Sequence, residues 1–581
     1  MVKFTLLVKD LKLTWFNSHW LKQVLNRILV VLYIFYYYTL YMLRLTYFFL
    51  FHTCLFTSLL PAQESYRYNP VIDVLHYSFA VDLNDLNNEI NGNAAISILF
   101  LQSTSTISFD LICKNDKGKG MRVIAAKEGE SSLDFVHANN VLKIKLSRNA
   151  MSGERRTYNI SYAGTPADGL VFSKNKHEQR TIFADNWPNR ARNWLPCIDH
   201  VSDKAGVDFM VTAPDHYKVI SNGLLIEESS IGEHRKFTHW QEKVALPTKV
   251  MVIGLADFAV NYAGNVECIP VSSWVFPQDK KNGFFDYGQA IEILPFFIKQ
   301  VGAYPYKKLA NVEAITVFGG MENASAIFYN EKSITGKRGY SEELIAHEIA
   351  HQWFGNSVTE SGWPHVWLSE GFATEMTNLY LENKYGADTL KARLKQDRKL
   401  VIEFSKTRFT PVVDSSENQN YMALLNRNSY EKGGWILHML RRKLGDSLFW
   451  KGLRTYYTDY AGINAITNDF QKVMEEVSGL NLNQFFKQWL YTAGHPVLDI
   501  KWNYDIKKKL LTLHITQQQK QMFSFPLEFS FIIKGSKNIN QPPFEIRDKE
   551  TKIEIPMPLK PTQVVADPDT NLLFQGSTNE D

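Results

Sequence analysis

Cysteine is scarce in this sequence: Cys54, Cys113, Cys197 and Cys268 are the 4 in 581 residues. Cys54 falls in an apolar N-terminal stretch, and the odd number left excludes a framework of disulfides. Those three read as small buried hydrophobes, with room for one bridge at most. A charge excess of one sign is missing too. The formal net charge is +4, and Lys3, Lys9, Lys12, Lys22, Arg27 and Arg44 against Asp10 place +5 in residues 1–62, leaving the rest at −1. That near-neutral body has no block of Lys and Arg interleaved with aromatics, so nucleic acid drops out as a partner. Internal repeats and low-complexity tracts are absent. With 45% hydrophobic and 21% charged residues, the chain is neither largely disordered nor fibrous. Its length exceeds what one core serves, because domains split beyond roughly 250–300 residues.

Long apolar runs are confined to the N-terminus, ILVVLYIFYYYTLYMLRLTYFFLFHTCLFTSLL. Two readings compete for it. In one, residues 28–61 enter the bilayer and anchor an external protein. In the other, residues 1–41 are an over-extended start, and Met42 opens a signal peptide over 42–62. MLR is then its positive n-region, and Leu60-Pro61-Ala62 a small-residue cleavage site before Gln63. The signal template fits better. Either reading exports residues 63 onward, to a periplasmic or secreted location, with membrane attachment only where the leader is not cleaved.

Apolar periodicity divides the remainder. Alternation of period two, as in HYSFAVDLN and TYNISYAG, predicts an antiparallel β-domain over 63–268. Spacings of three and four, as in SEELIAHEIAHQWFG and TNDFQKVMEEVSG, predict a mostly helical domain over 269–494. Short alternating strands return over 495–575 as a small β-sandwich, before a polar tail at 576–581. The expected fold class is multidomain α+β.

The helical region carries the chemistry. AHEIAHQWFGN, residues 346–356, sets His347 and His351 four residues apart. Residues i and i+4 of a helix share a face, so both imidazoles can converge on one ion while Glu348 points beside it. Zinc accepts imidazole nitrogens and a carboxylate, and a catalytic site keeps one position for water. A third ligand is offered by Glu370 in WLSEGFATEM, which follows His351 after eighteen intervening residues. Glu348, which is not a ligand, is then placed to take a proton from the zinc-bound water and return it to the leaving amine. His365, in the intervening loop without a spacing partner, is assigned a structural role.

VFGGMENASAIFYNE (317–331), HEIAHQWFGN, WLSEGFA and NSYEKGGWILHML (428–440) together resemble the gluzincin aminopeptidases of peptidase family M1. The resemblance covers roughly residues 66–575. It implies a thermolysin-like catalytic domain with one Zn2+ per chain on His347, His351 and Glu370, and Glu348 as general base. It also implies that Tyr430 stabilises the oxyanion and that Glu322 binds the α-amine of a peptide with a free N-terminus. Gly319, Gly320, Met321 and Asn323 then line the substrate cleft. Two features depart from the family pattern. Five residues before Arg192, where a second amine-binding Gln or Glu usually stands, this chain has Trp187, which cannot accept the amine's hydrogen bonds; Asp185 or Asn186 would have to substitute, or the tryptophan walls the first subsite. The sequence also stops after the small β-domain, which reads as a short form without the C-terminal helical domain and with a more open cleft.

The expected activity is therefore zinc-dependent removal of N-terminal residues from peptides. Two rivals stand beside it: a gluzincin peptidase of relaxed exo/endo mode, and a non-catalytic peptide-binding scaffold.

Overall fold

Every second side chain of INGNAAISILF, Ile90–Phe100, is buried, and this alternation builds the N-terminal region from strands. The computed structural model describes residues 70–417, 420–535 and 538–581, without the side chain of Tyr340. The leader over 1–62, with its signal-peptide and membrane-span alternatives, lies outside the described residues. No helix among the described residues is long and apolar enough to cross a membrane.

An eight-stranded sheet leads the N-terminal region. It is mixed where an antiparallel one is expected, because Ile72–Asp82 pairs parallel with Ala205–Pro214 (Phe79 opposite Phe209). Alternation reports which face a residue takes and not which neighbour its strand finds. A second sheet, ordered Lys218–Ser221, Ile253–Ala256, Arg180–Ala184, Leu170–Lys174, delivers the chain to Trp187.

The third sheet, of five strands, runs Ala259–Val266, Ile269–Val275, Leu309–Ala314, Ala326–Asn330 and Gly320–Met321. Its first hairpin straddles the expected boundary between 268 and 269, with Val266 opposite Ile269. The alternating pattern simply continues through it. Cys268 sits exposed in that turn, Cys113 is partly buried and Cys197 is buried, all three free; only Cys197 is the buried hydrophobe expected.

Helices follow: Lys280–Tyr287 (α1), Ala290–Gln300 (α2), Arg338–Ala350 (α3), Trp367–Tyr385 (α4), Ala387–Ser405 (α5), Gly433–Leu444 (α6), Asp446–Tyr460 (α7), Thr467–Ser478 (α8) and Asn483–Leu490 (α9). α4 lies at the centre: from Trp367 to Leu381 its side chains are buried on nearly every face, so it carries no amphipathic stripe. Phe372 holds it in place, with ring centroids 4.7 Å from Phe354 and 5.0 Å from Phe470. Such pairs add about 0.5–1.5 kcal/mol each beyond area burial. A buried Lys249–Glu360 ion pair (2.6 Å) ties the N-terminal strands to the segment between α3 and α4.

Two further sheets close the chain, one of four strands and one of three. The expected polar tail is a correction: Gln575–Glu580 is a strand, paired parallel with Val497–Asp505. It lies at the sheet's edge with its side chains largely exposed, so no apolar alternation marks it in the sequence.

Candidate metal centre

α3 presents His347 and His351 on one face, and α4 packs beside it with Glu370 in its first turn. His347 Nε2 lies 3.1 Å from His351 Nε2. Glu370 Oε2 is 3.5 Å from the first and 3.3 Å from the second. Ligands about 2.0–2.1 Å from a tetrahedral zinc stand about 3.3–3.4 Å apart, so three sides of such a site are already formed. The donor set of two imidazoles and one carboxylate suits zinc.

His351 Nδ1 faces the Phe354 carbonyl at 3.2 Å and Ser369 Oγ at 3.0 Å. A proton on Nδ1, donated there, leaves Nε2 free to bind an ion and fixes the ring plane. Burial opposes the charge on His351, but the carboxylates of Glu370, Glu322 and Glu348 outweigh it and push the imidazole up to about 10. Burial likewise opposes the Glu370 carboxylate, which the His351 and His347 imidazoles nevertheless hold well below the usual range.

Glu348 lies beside the trio, grouped with Glu322 and His351. Burial pushes its carboxyl well up, against His351 and with help from Glu322 and Glu370. It rests against the strand Gly320–Met321: a Cβ on Gly320 would fall 2.3 Å from Glu348 Oε1. Tyr430 sits on a single π-helical turn, Asn428–Lys432, a form common at functional sites. Its ring stacks on His347 with centroids 5.9 Å apart. Burial, together with Glu370, Glu322 and Glu348, pushes its hydroxyl well up, so it stays a donor.

A close helix crossing sets the Tyr430 to Glu370 spacing. Cβ atoms built on Gly371 and Gly433 would each meet the other residue's backbone at 2.9 Å. Gly371→Ala is expected to destabilise the fold by about 1–3 kcal/mol and to lower turnover by parting α4 from the Tyr430 turn. Thermal unfolding checks this against Gly339→Ala, where a Cβ meets nothing and should be neutral or stabilising.

Glu322 is 5% exposed, and its Oε1 has no hydrogen-bond partner among the described residues. Its backbone carbonyl receives Gln352 Nε2 (2.8 Å) and Asn356 Nδ2 (2.6 Å), and Gln352 Oε1 accepts from Ser325 N (2.9 Å). Gln352 and Asn356 therefore clamp the Glu322 loop to the end of the metal helix. The sequence reading missed both, although they stand inside the quoted motif. Gly319, Gly320, Met321 and Glu322 line a cleft of about 270 Å³ with the trio, Glu348 and Tyr430. Asn323 does not line it: its side chain is fully buried behind the loop.

Trp187 lines the same cleft, backed edge-on by Trp363 at 5.3 Å. Neither suggested substitute reaches the cleft. Asp185 is spent on Arg190 (2.5 Å) and Thr316 (3.0 Å), and Asn186 on the Met251 carbonyl (2.6 Å) and Trp194 Nε1 (2.9 Å). His365 keeps the structural role expected, with Nδ1 2.8 Å from Thr467 Oγ1.

Two family models match the chain: the Peptidase M1 N-terminal domain over residues 73–250 and the Peptidase family M1 domain over 285–489. Aminopeptidase M1-C of Oryza sativa subsp. japonica is 30% identical over 333 residues, 54% of this chain and 37% of that protein. Glutamyl aminopeptidase of Homo sapiens is 26% identical over 362 residues, 59% of this chain and 37% of that protein. "Probable aminopeptidase 2" of Sulfurisphaera tokodaii is 29% identical over 404 residues, 66% of this chain and 50% of that protein. The matched segment thus spans half or less of each of these relatives.

Proposed function

The chain belongs to peptidase family M1, and from that premise we propose that it is an exported zinc aminopeptidase, with a thermolysin-like catalytic region between an N-terminal β-domain and a C-terminal β-sandwich. One observation carries the reading: a buried carboxylate with a free oxygen, Glu322, faces the same cleft as a His347, His351, Glu370 trio of tetrahedral spacing. A metal alone would serve any peptidase; a fixed anion at a set distance from it measures from a charged amino terminus.

His347, His351 and Glu370 would hold a zinc ion, which would supply Lewis acidity and lower the pKa of its bound water. The protein's own groups do the rest. Glu322 pairs with the substrate ammonium and sets the first peptide bond against the trio. Glu348 takes a proton from the attacking water onto its carboxylate and hands it to the leaving amine. The Tyr430 hydroxyl donates to the carbonyl oxygen as negative charge grows there. Trp187 walls the first subsite and contributes no acceptor.

Relaxed exo/endo cleavage is the second reading, favoured by that wall, since Glu322 then holds the amine without the usual partner. Free and N-acetylated forms of one peptide, each with and without chelator, separate the two. The aminopeptidase reading expects chelator-sensitive release of the first residue from the free form alone; undiminished cleavage of the acetylated form sinks it. Glu322→Gln should cost free-amine peptides about 10- to 100-fold in kcat/KM, the size of one charge-assisted hydrogen bond, mostly through KM.

A further inference from the structure

A second cavity, of about 420 Å³, adjoins the cleft and shares Gly319, Leu344, His347 and Tyr430 with it. Glu322, Glu370 and Trp187 line the first and not the second. A peptide whose amine is at Glu322 and whose carbonyl lies between the trio and Tyr430 therefore sends its leaving portion past His347 and Tyr430 into this second space.

Its walls carry charge. Glu343 comes from α3, Arg393 and Asp397 from α5, and Glu431 from the π-helical turn. Arg393 is spent: it grips both oxygens of Glu343 at 2.7 Å and gives its Nε to Asn378 Oδ1 at 2.6 Å. Glu431 is 8% exposed, with Arg427 on its Oε1, while its Oε2 has no hydrogen-bond partner among the described residues. Asp397, partly buried, forms no ion pair among the described residues; burial and the Glu431 carboxylate push it up to about 7, against Arg393 and a hydrogen bond from Asn378. Three carboxylates thus meet two guanidiniums, one of them reaching in from the half-exposed Arg427. The buried Glu431 oxygen left without a hydrogen-bond partner among the described residues is costly, and a cation entering the cavity beside it and the partly buried Asp397 relieves that cost.

We propose that this cavity receives the side chain of the residue just after the scissile bond and selects a cationic one, lysine or arginine, through Asp397 and Glu431. The inference rests on the aminopeptidase reading, because only an amine anchored at Glu322 fixes which residue reaches the cavity. An acidic side chain would add a further anion and is disfavoured.

The test compares kcat/KM for Ala-Lys-Ala, Ala-Leu-Ala and Ala-Glu-Ala with the zinc-loaded full chain, reading release of the first alanine. The expected order is Lys, Leu, Glu, with Lys over Leu by about tenfold, the worth of one charge-assisted contact. Asp397→Asn should bring the Lys to Leu ratio toward one. Asp397→Lys should turn the preference to Ala-Glu-Ala, a reversal that misfolding cannot produce. Equal rates for the three peptides, or an Asp397→Asn ratio unchanged from wild type, overturn the cation pocket while the aminopeptidase reading stands. No chelator-sensitive release from any of them overturns both.

Discussion

Glu348→Gln is expected to lower kcat/KM by about 10²- to 10⁴-fold, the range in which a positioned general base contributes, while the protein keeps its zinc. The two outcomes separate because Glu348 is not among the three groups of tetrahedral spacing, although it follows His347 directly. Glutamine keeps the volume and the contact with Gly320, where a Cβ would fall 2.3 Å from Glu348 Oε1, and loses only the capacity to take up a proton. Burial, with Glu322 and Glu370, raises this carboxyl well above its ordinary value in the metal-free site. Steady-state kinetics on a free-amine peptide, paired with elemental analysis, read both quantities. Activity within tenfold of wild type would remove Glu348 from the base role; loss of zinc would make it a ligand.

What the sequence disclosed was local. His347 and His351 are legible because helix geometry converts a four-residue spacing into a shared face, and α3 delivers it. Glu370 and Tyr430 were legible only through flanking motifs. No periodicity predicts that Gly371 and Gly433 let two backbones meet, and that crossing brings the Tyr430 turn beside Glu370. The Gln352 and Asn356 clamp on the Glu322 carbonyl spans 30 and 34 residues, and the Lys249–Glu360 pair spans 111. Such contacts belong to the tertiary fold. The same holds in the sheets: alternation placed the strands of the N-terminal region but not the parallel partner of Ile72–Asp82. It also missed Gln575–Glu580, whose mostly exposed side chains leave no apolar signature. That Trp187 offers no acceptor follows from residue type alone; that Asp185 and Asn186 are committed elsewhere is a property of the tertiary fold.

Glu370→Ala is expected to abolish peptide hydrolysis by emptying the metal centre, where Glu348→Gln slows it with the metal in place. Glu370 supplies the one anionic donor of the trio, 3.5 and 3.3 Å from the two imidazole nitrogens. Without it, two neutral imidazoles remain on a single helix face, and zinc loses both a ligand and its charge compensation. Outer-shell partners of metal ligands typically cost about 10- to 100-fold in affinity when removed, so loss of a direct ligand should exceed that. Wild-type protein should retain zinc through dialysis and melt higher with zinc than after chelation, because a ligand held by the folded state alone stabilises it, by about 4 kcal/mol at 1,000 times Kd. In Glu370→Ala, zinc should dialyse away and the melting temperature should no longer respond to added zinc. Glu370→Asp separates charge from reach: it keeps the anion but draws the oxygens back by one methylene, so it should bind zinc more weakly than wild type and better than the alanine variant. Wild-type zinc retention by Glu370→Ala would mean that the third donor is another carboxylate, and Glu322 and Glu348, both grouped with His351, would be the ones to replace next.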